Sequence, residues 1–475
     1  MPHRLRRLGP VLPALAAAVF GIVRLPELTR SPLWFDELFS LDVASLPFGD
    51  SMRRIIADHT NPPLFYLLLK GWVALGGDGD LWARLLPCLL ALLLGPALVW
   101  LSREARAGTM AGTLGVALAA ASPLAVDLAN EVRAYSLLAL LACLSLAGAL
   151  RARRLATPQA FALLTLVNVA LVHTHYFGWL TVAAEVGAAV LCWPRQARRE
   201  IVRSVALTAL VFLPWASAVI SHVLRHPAPL RNVAWIAPPD AAAPLWLFSD
   251  LTGRWSLPGA NLAWLAVAAV ALGSLGWARL RQRRHTTATG PDSGTLALLA
   301  FAGLGAPLAI WGLSVLWSHS VWVPRYLVGA AAPVALLTAI ALAALPPRRA
   351  PVAALAGFVW AIVAFASLPQ RAPVKFDWRR FVRRLEVIVG SPRDVVAFEA
   401  FTGAPLQRYA APGMRVHMAH ALDSVPAIDS WVVYRPESFA NSSPILRLRA
   451  KGFTVVTSLS AETAGQRVVA VRVRR

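Results

Sequence analysis

The sequence has few charged residues for its length. Only 15% of its 475 residues are charged, whereas 57% are hydrophobic, and the mean hydropathy is +0.58. A soluble protein carries about 25% charged residues. The composition therefore excludes an ordinary soluble enzyme and predicts a protein that crosses the lipid bilayer several times.

Cysteine is also scarce. The chain holds three cysteines, Cys88, Cys143 and Cys192, and each falls inside a hydrophobic segment. They include no Cys-x-x-Cys pair, so they predict no disulfide framework. The chain also lacks an internal repeat, and its compositional bias is limited to many Ala and Leu residues.

Acidic residues are few relative to basic ones. The chain has 24 Asp and Glu against 46 Lys and Arg, which gives a formal net charge of +22. Such a balance is also typical of nucleic-acid-binding proteins, but here the arginines cluster between hydrophobic runs, as in cytoplasmic loops. We therefore predict no nucleic-acid partner and place these clusters inside. The clusters are Arg4 to Arg7, Arg103 to Arg106, Arg151 to Arg154, Arg195 to Arg203, Arg279 to Arg284 and Arg348-Arg349.

Hydrophobic runs between these clusters predict about eleven transmembrane helices, with the N-terminus inside and the C-terminus outside. The first run ends in Leu25-Pro26-Glu27 without a small-residue cleavage site, so we interpret it as a retained signal-anchor. The others are 82–102, 107–123, 134–150, 157–172, 177–194, 203–221, 261–279, 295–316, 326–345 and 350–368.

A long polar loop, residues 26–81, follows the first span. The segment 64–76 within it is too short to cross the bilayer comfortably and contains Lys70. We therefore predict an interfacial or re-entrant helix there. This assignment leaves one crossing, 82–102, between the external loop and the internal cluster at Arg103.

The composition changes after Pro369. Residues 370–475 predict a small extracytoplasmic α/β domain, separate from a transmembrane domain over residues 1–369. Phe376 to Val389 has the spacing of an amphipathic helix. Short helices are predicted over 406–410 and 443–451, and strands over 395–398, 431–434, 453–457 and 468–473.

Two adjacent acids, Asp36 and Glu37, lie among aromatic residues directly after the first hydrophobic segment. Aromatic rings at such a position are typical of the membrane–water boundary. Carboxylates are expensive there unless they are solvated, paired or used in chemistry. The competing interpretation is that Asp36 caps a short interfacial helix.

A second polar group follows in the same loop. The Pro-Pro pair after Asn61 predicts the start of a helix with Asn61 as the cap residue. Asp58 and His59 then approach a helix N-terminus, which favours anions such as phosphate. Plain capping of an interfacial helix is an equally weighted alternative.

Several short motifs occur in order along the chain. They are Trp34-Phe-Asp36-Glu37, Asp58-His-Thr-Asn61-Pro-Pro63, Arg84-Leu-Leu-Pro87, Asn130-Glu-Val-Arg133-Ala-Tyr135, His173-Thr-His-Tyr-Phe-Gly178 and Pro324-Arg325-Tyr326-Leu327. Together they resemble glycosyltransferase family 39-like proteins, GT-C fold enzymes related to protein O-mannosyltransferases and the lipid A aminoarabinose transferase. One departure is Asn61, where many relatives have His, and this argues against a metal ligand at that position.

The resemblance implies an all-α polytopic GT-C domain whose first external loop, 26–81, is catalytic. It implies a hexosyl- or pentosyltransferase that moves a sugar, mannose-like or other, from a polyprenyl-phosphate donor. The implied acceptor is a hydroxyl of a lipid, glycan or protein. The implied location is the cytoplasmic membrane, with the active site on the extracytoplasmic side.

The implied chemistry assigns roles to individual residues. The acceptor oxygen loses a proton as it attacks, and we assign Asp36 as the base and Glu37 as an acceptor-orienting group, although the two roles are exchangeable. The phosphate leaving group needs cationic neutralisation, for which Arg133 and Arg325 are candidates; interfacial anchoring is the alternative for each. The predicted substrate-binding residues are Asp58, His59, Asn61, Glu131, Arg133, Tyr135, His173, His175, Tyr176, Arg325 and Tyr326.

Metal binding and functions other than sugar transfer have less support in the sequence. The alternate spacing of His173 and His175 does not fix both imidazoles on one ion, so no metal site is predicted, and a divalent cation is left open as a cofactor. A transporter of polyprenyl lipids or small molecules needs ionisable groups near the midplane. Glu185 is nearly alone in qualifying, whereas the acids lie in loops, so we favour the transferase over a transporter and over a structural scaffold.

Overall fold

The computed structural model describes residues 28, 31–226, 236–281, 290–317, 319–367, 375–389, 394–410, 412–419, 430–436, 444–463 and 466–474. The predicted signal-anchor lies outside the described residues. The contacts divide the chain into two compact units. We call them the helical unit, Met1–Leu25, Val43–Gly77 and Trp82–Gln370, and the sheet unit, Pro26–Asp42, Asp78–Leu81 and Arg371–Arg475.

Two parts of the first loop therefore group with the C-terminal residues. The acids Asp36 and Glu37 belong to the sheet unit, although more than 330 residues separate Glu37 from Lys375 in the same unit. The helix that carries the acids, α1 (Phe35–Ser45), begins in the sheet unit and ends in the helical unit.

A series of helices continues from α1 along the chain. They are α2 (Phe48–Asp58), α3 (Leu64–Gly76), α4 (Asp80–Glu104), α5 (Gly108–Ala120), α6 (Pro123–Ala129), α7 (Tyr135–Leu155), α8 (Pro158–Thr174), α9 (Gly178–Cys192), α10 (Arg195–Arg225), α11 (Ala243–Thr252), α12 (Pro258–Arg281), α13 (Ser293–Ala300), α14 (Ala306–Leu316), α15 (Ala331–Ala343) and α16 (Ala350–Ser367). All of these helices lie in the helical unit except for the first two residues of α4, Asp80 and Leu81. A π-helical turn, Phe301–Gly305, joins α13 to α14, and a 3₁₀ helix, Pro324–Ala330, leads into α15.

Among the described residues, seven helical segments are long and apolar enough to cross a membrane. The chain is therefore a multi-pass membrane protein. The segments are Asp80–Glu104, Tyr135–Leu155, Arg195–Arg225, Gly259–Trp277, Ser293–Leu316, Pro324–Ala343 and Ala350–Ser367. The helices α8 and α9 are apolar but shorter. The number of eleven spans and their orientation stay predictions.

The predicted run 107–123 is broken rather than straight. It ends at Ala120, and α5 and α6 meet at an angle of 60°. Ser122 has an extended backbone and its hydroxyl accepts a hydrogen bond from Ala125 N at 3.1 Å, so it caps a new helix that starts at Pro123. The residue before a proline is disfavoured in the α-region, which explains the break.

The helix predicted over 64–76 forms with those bounds, but its start differs from the prediction. Pro63, not Asn61, is the residue that precedes the first helical residue, and the structure shows no side-chain cap there. The prediction of Asn61 as the cap was wrong. Because Asn61 and Pro62 each precede a proline, both are held away from the α-region, and the helix starts only after the pair.

The sheet unit contains a mixed five-stranded sheet with the order β2-β1-β3-β5-β4. The pairs β1–β2 and β1–β3 are parallel, whereas β3–β5 and β4–β5 are antiparallel. The elements in chain order are α17 (Trp378–Val389), β1 (Asp394–Phe398), α18 (Ala400–Tyr409), β2 (Arg415–Ala419), β3 (Ser430–Tyr434), α19 (Pro444–Ala450), β4 (Thr454–Thr463) and β5 (Gln466–Arg474).

Alternate residues of the strands build a core on each face of this sheet. Val395 and Ala397 pack in one cluster with Phe381 of α17, whereas Val396 and Phe398 pack in the other. This alternation is the period of a strand buried on both faces. The predicted α/β character is confirmed. Strand β2 was missed because it is a short edge strand with mostly exposed or half-exposed residues.

Candidate active site

The acidic stretch forms the first turn of α1. The amide N–H groups of Glu37 and Leu38 each donate to the Trp34 carbonyl at 3.0 Å. The Glu37 carboxylate reaches back and accepts from Trp34 N at 3.1 Å. This bond is one of the two that make up a capping box, namely the one in which a Glu at the third helical position accepts from the backbone N–H of the cap residue. Glu37 therefore makes a cap hydrogen bond at the start of this helix.

The two adjacent acids have different surroundings. Glu37 is fully buried, and its Oε2 lies 3.1 Å from Lys375 Nζ. Asp36 is half-buried at the second position of the helix, and its backbone carbonyl accepts a hydrogen bond from the Ser40 hydroxyl at 3.0 Å. The geometry gives Glu37 an anchoring position and leaves the more exposed carboxylate to Asp36.

A second group of predicted residues forms in the helical unit around Arg133. This side chain lies in the turn between α6 and α7 and is 7% exposed. Its Nη1 donates to the hydroxyl of buried Tyr66 at 3.2 Å. Glu131 lies in the same turn, where its carbonyl accepts from Arg133 N at 2.7 Å. Tyr66 connects α3 of the first loop to this turn.

His175 lies at the centre of an aromatic cluster in the same unit. Its ring centroid is 5.0 Å from Tyr326, 6.1 Å from Tyr135 and 5.5 Å from Phe177. Its Nδ1 accepts a hydrogen bond from Phe177 N at 3.1 Å. Burial lowers the pKa of His175 to about 3, and the positive charges of Arg133 and Arg325 act in the same direction.

His175 is therefore neutral near pH 7, and its proton is on Nε2 because Nδ1 accepts. That N–H has no hydrogen-bond partner among the described residues. A buried donor without a partner is costly, so it indicates a place where a ligand oxygen or an ordered water completes the bond.

Arg325 joins this group from the 3₁₀ helix before α15. Its Cζ lies 5.8 Å from the centroid of the Tyr326 ring. Pro324 fixes the backbone at the start of that helix. The structure thus brings together Arg133, Tyr135, His175 and Tyr326 with Arg325. Two guanidinium groups beside hydroxyl and imidazole donors form an environment that suits a phosphate anion.

The residues predicted at 58–61 lie at the end of α2. The Thr60 hydroxyl donates to the Asp58 carboxylate. His59 has a left-handed backbone with φ of 43°, and its Nδ1 is 3.0 Å from Ala57 O. Asn61 is buried, and its side-chain nitrogen donates to Thr60 Oγ1 at 3.2 Å. Burial raises the pKa of Tyr176, and the charge of Asp58 acts in the same direction, which shows that the two residues are electrostatic neighbours.

The two histidines of the His-Thr-His motif diverge. His173 lies on α8, where its Nδ1 is 2.8 Å from Val169 O and its ring is 5.1 Å from Phe212. It is not among the ring contacts of His175. Within the described ranges, no three His, Cys, Asp or Glu side chains are grouped so as to hold a metal ion.

Sequence reasoning missed three residues of these groups. Tyr66 follows the Asp58–Pro63 motif by three residues, and Phe177 lies inside the His173–Gly178 motif. Their proximity in sequence to predicted site residues was the pattern that could have identified them. Lys375 has no such pattern, because its partner Glu37 is 338 positions away in the sequence. Only the folded chain reveals that pair.

The chain resembles known proteins in sequence and in structure. Residues 60–222 match the model of the family described as dolichyl-phosphate-mannose-protein mannosyltransferase. The structure is similar to ArnT from Cupriavidus metallidurans bound to undecaprenyl phosphate, with a TM-score of 0.58, 15% identity and 98% coverage of both chains. The apo form of that protein gives a TM-score of 0.57 and 16% identity, covering 96% of this chain and 97% of that chain. No curated protein matches the chain.

These comparisons confirm the resemblance that the motifs indicated and show that the chain has the GT-C fold. The matched range contains Tyr66, Arg133, Tyr135 and His175. The Asp36 turn and Arg325 lie outside that range.

Proposed function

We propose that this protein is a membrane glycosyltransferase that moves a sugar from a polyprenyl-phosphate donor to an acceptor hydroxyl on the extracytoplasmic face. The observation that carries the proposal is the group of Arg133 and Arg325 around a neutral, buried His175 in a chain with a GT-C fold. The solved ArnT structure with undecaprenyl phosphate makes a lipid phosphate the ligand of first choice for that group.

The arginine group suits the leaving half of the reaction. A polyprenyl phosphate leaves as an anion, so the transition state gains from nearby positive charge more than from an added proton. Guanidinium groups offer paired N–H donors that match phosphate oxygens, and they stay charged when buried. The unpartnered Nε2–H of His175 adds a neutral donor of the same kind.

Asp36 suits the attacking half of the reaction. The acceptor hydroxyl loses its proton as its oxygen bonds to the anomeric carbon, and a carboxylate is the group that accepts it. Glu37 is already engaged with Lys375 and the Trp34 amide. We keep Asp36, the more exposed of the two acids, as the base and assign Glu37 to holding the turn.

The transporter alternative depended on Glu185. The structure places this side chain in a closed group with Ser145 and Asn168 inside the helical unit, at 2.8 Å between Asn168 Nδ2 and Glu185 Oε2. A residue bonded in this way serves helix packing, so it gives the transporter no specific support.

The experiment is a donor screen with the purified protein in lipid nanodiscs. Polyprenyl phosphates carrying different hexoses and pentoses are supplied with lipid, glycan and peptide acceptors, and products are identified by mass. We expect one sugar to move and free polyprenyl phosphate to appear, with Asp36→Asn as the inactive control. Binding of these lipids without sugar transfer from any of them contradicts the proposal.

A further inference from the structure

Lysine is rare in this chain, and two of the lysines bind residues at the ends of α1. Among the 46 basic residues only Lys70, Lys375 and Lys451 are lysines. Lys375 Nζ lies 3.1 Å from Glu37 Oε2, with the lysine side chain 12% exposed and the glutamate completely buried. The same ammonium lies 5.5 Å from the centroid of the Trp34 ring. It thus contacts two residues that flank Asp36.

This ion pair matters because its acid is buried. Removing one partner of a buried pair leaves an uncompensated charge, which is far more disruptive than losing a surface ion pair. Glu37 also bonds the Trp34 amide at the start of α1. Lys375 therefore supports the side chain that fixes the turn carrying Asp36.

The opposite end of the same helix is held by another lysine. Lys70 Nζ donates to the carbonyl of Ala44 at 3.1 Å and to that of Leu46. The last carbonyls of a helix lack intrahelical partners and favour a cation. Two of the three lysines therefore fix the two ends of the helix that carries the proposed base.

The segment that leads into the turn is fixed by the same C-terminal part of the chain as Lys375. Tyr409 Oη accepts from Leu33 N at 2.6 Å and donates to Asp80 Oδ2 at 2.7 Å. Arg379 and Arg408 also bind Asp80. All of these residues belong to the sheet unit. The C-terminal residues thus contact the acidic turn at Leu33, Trp34 and Glu37.

We propose that Lys375 is a positioning residue for the transfer reaction, through which the C-terminal domain sets the geometry of Asp36. The inference rests on the proposed function. By neutralising Glu37 and covering Trp34, the ammonium holds the first turn of α1 in one conformation. The C-terminal domain is then part of the catalytic apparatus through its contact with the acidic turn.

The test compares Lys375→Met with a matched control, Lys451→Met, in the nanodisc transfer assay. Lys451 is exposed in the same domain. We expect Lys375→Met to lower kcat at least tenfold and to leave KM for the donor within about twofold of wild type, because the donor phosphate is assigned to Arg133 and Arg325. Lys451→Met should behave like wild type.

A second variant separates positioning from plain structural damage. In Glu37→Gln/Lys375→Met the buried charge is absent, and Gln still accepts the Trp34 amide hydrogen bond of the capping box. We expect this double variant to recover at least half of the decrease in log kcat that Lys375→Met causes. A single variant Lys375→Met with wild-type kcat overturns the proposal. A defect that the double variant does not relieve, with a matching fall in melting temperature, also overturns it.

These outcomes are distinct from failure of the proposed function. If wild type transfers no sugar from any donor in the screen, the function itself fails. If wild type transfers sugar and the lysine variants give either contradicting result, only the positioning role fails.

Discussion

Asp36 and Glu37 are neighbours in sequence but have different surroundings in the structure. At successive positions of a helical turn, side chains point in directions about 100° apart. One carboxylate is therefore buried against Lys375, and the other is half-exposed. The sequence shows two adjacent acids at a position that suggests catalysis, but it does not predict which of them is buried against a cation, because that depends on a lysine more than 330 residues away.

Replacing Asp36 tests the assignment of the base. Asp36→Asn keeps the size of the side chain but removes its ability to accept a proton. Because general bases contribute ~10²–10⁴-fold, we expect kcat to fall by at least about a hundredfold. Donor binding and melting temperature should stay close to wild type. A kcat within about threefold of wild type removes Asp36 from the mechanism.

Replacing Arg325 tests the phosphate clamp. Arg325→Lys keeps the charge but loses the fork that binds two phosphate oxygens, so KM for the donor should rise about tenfold or more, and Arg325→Ala should be worse. A residue that only anchors its helix at the interface tolerates lysine, because a lysine anchors equally well. Equal donor dependence in wild type and Arg325→Lys contradicts the clamp.

Because His175 is buried, we expect the free energy of unfolding to decrease at acidic pH. Its pKa is about 3 in the folded state against an ordinary value of 6.5. Between these values the unfolded chain binds more protons than the folded one, so the contribution to stability is complete above pH 6.5 and is lost as the pH falls. At pH 5 this loss amounts to about 2 kcal/mol.

The measurement is the free energy of unfolding in detergent at several pH values. His175→Phe should show a flatter dependence between pH 7 and 5 than wild type, whatever its absolute stability. His173→Phe is the matched control, since it replaces the other histidine of the same motif. Equal slopes in wild type and His175→Phe would exclude His175 as the cause of the loss of stability at acidic pH.

At the scale of elements, the sequence predicts most helices and strands because their apolar runs are long or regular. It misses the break of α5 and α6, since a Ser-Pro pair inside an apolar run leaves hydropathy almost unchanged. It also misses the edge strand β2, three of whose five residues are exposed. The first error comes from a local backbone preference and the second from the exposure of the strand. Average hydropathy over a window of residues shows neither.

A ring of hydrogen bonds joins three adjacent helices. Ser145 of α7 donates to Asn168 Oδ1 of α8 at 2.7 Å, and Asn168 Nδ2 donates to Glu185 Oε2 of α9 at 2.8 Å. Glu185 Oε1 bonds the Ser145 hydroxyl. Because that hydroxyl has one hydrogen and gives it to Asn168, the ring closes only if Glu185 supplies a proton.

This ring predicts that Glu185→Gln is tolerated. The Gln amide donates to Ser145 and accepts from Asn168, so every bond of the ring is kept. Glu185→Ala leaves the buried side-chain N–H of Asn168 without its partner and opens a cavity, which should cost about 2–5 kcal/mol. Melting temperatures in detergent compare the two. If Gln destabilises the protein as much as Ala, Glu185 is charged and the proton assignment is wrong.

At the scale of the whole molecule, charge distribution predicts topology, and the structure adds contacts that bear on it. Glu104 at the end of α4 binds Arg151 and Arg154 at the end of α7. Arg153 binds Asp292, which caps the start of α13. These contacts bring the ends of three helices together in the helical unit. All of them belong to the side that the arginine clusters assign to the cytoplasm.

The orientation is tested by reporters fused or labelled at single sites. Gly77, Asn130 and Arg371 should be accessible from outside, and Arg153 from inside.

The decisive site is Gly77, because it follows α3. This helix has 13 residues, and at 1.5 Å per residue it is about 20 Å long, against a hydrocarbon core of about 30 Å. It is too short to cross without deforming the bilayer, and Lys70 near its middle already binds the backbone carbonyl of Ala44 at the end of α1. If Gly77 is accessible only from inside and Arg153 is also inside, α3 crosses the membrane. The number of crossings between Gly77 and Arg153 is then even, and not odd as assigned. The acidic turn, which precedes α3, would keep its side, whereas Arg133 and the loops after α3 would need a new assignment of sides.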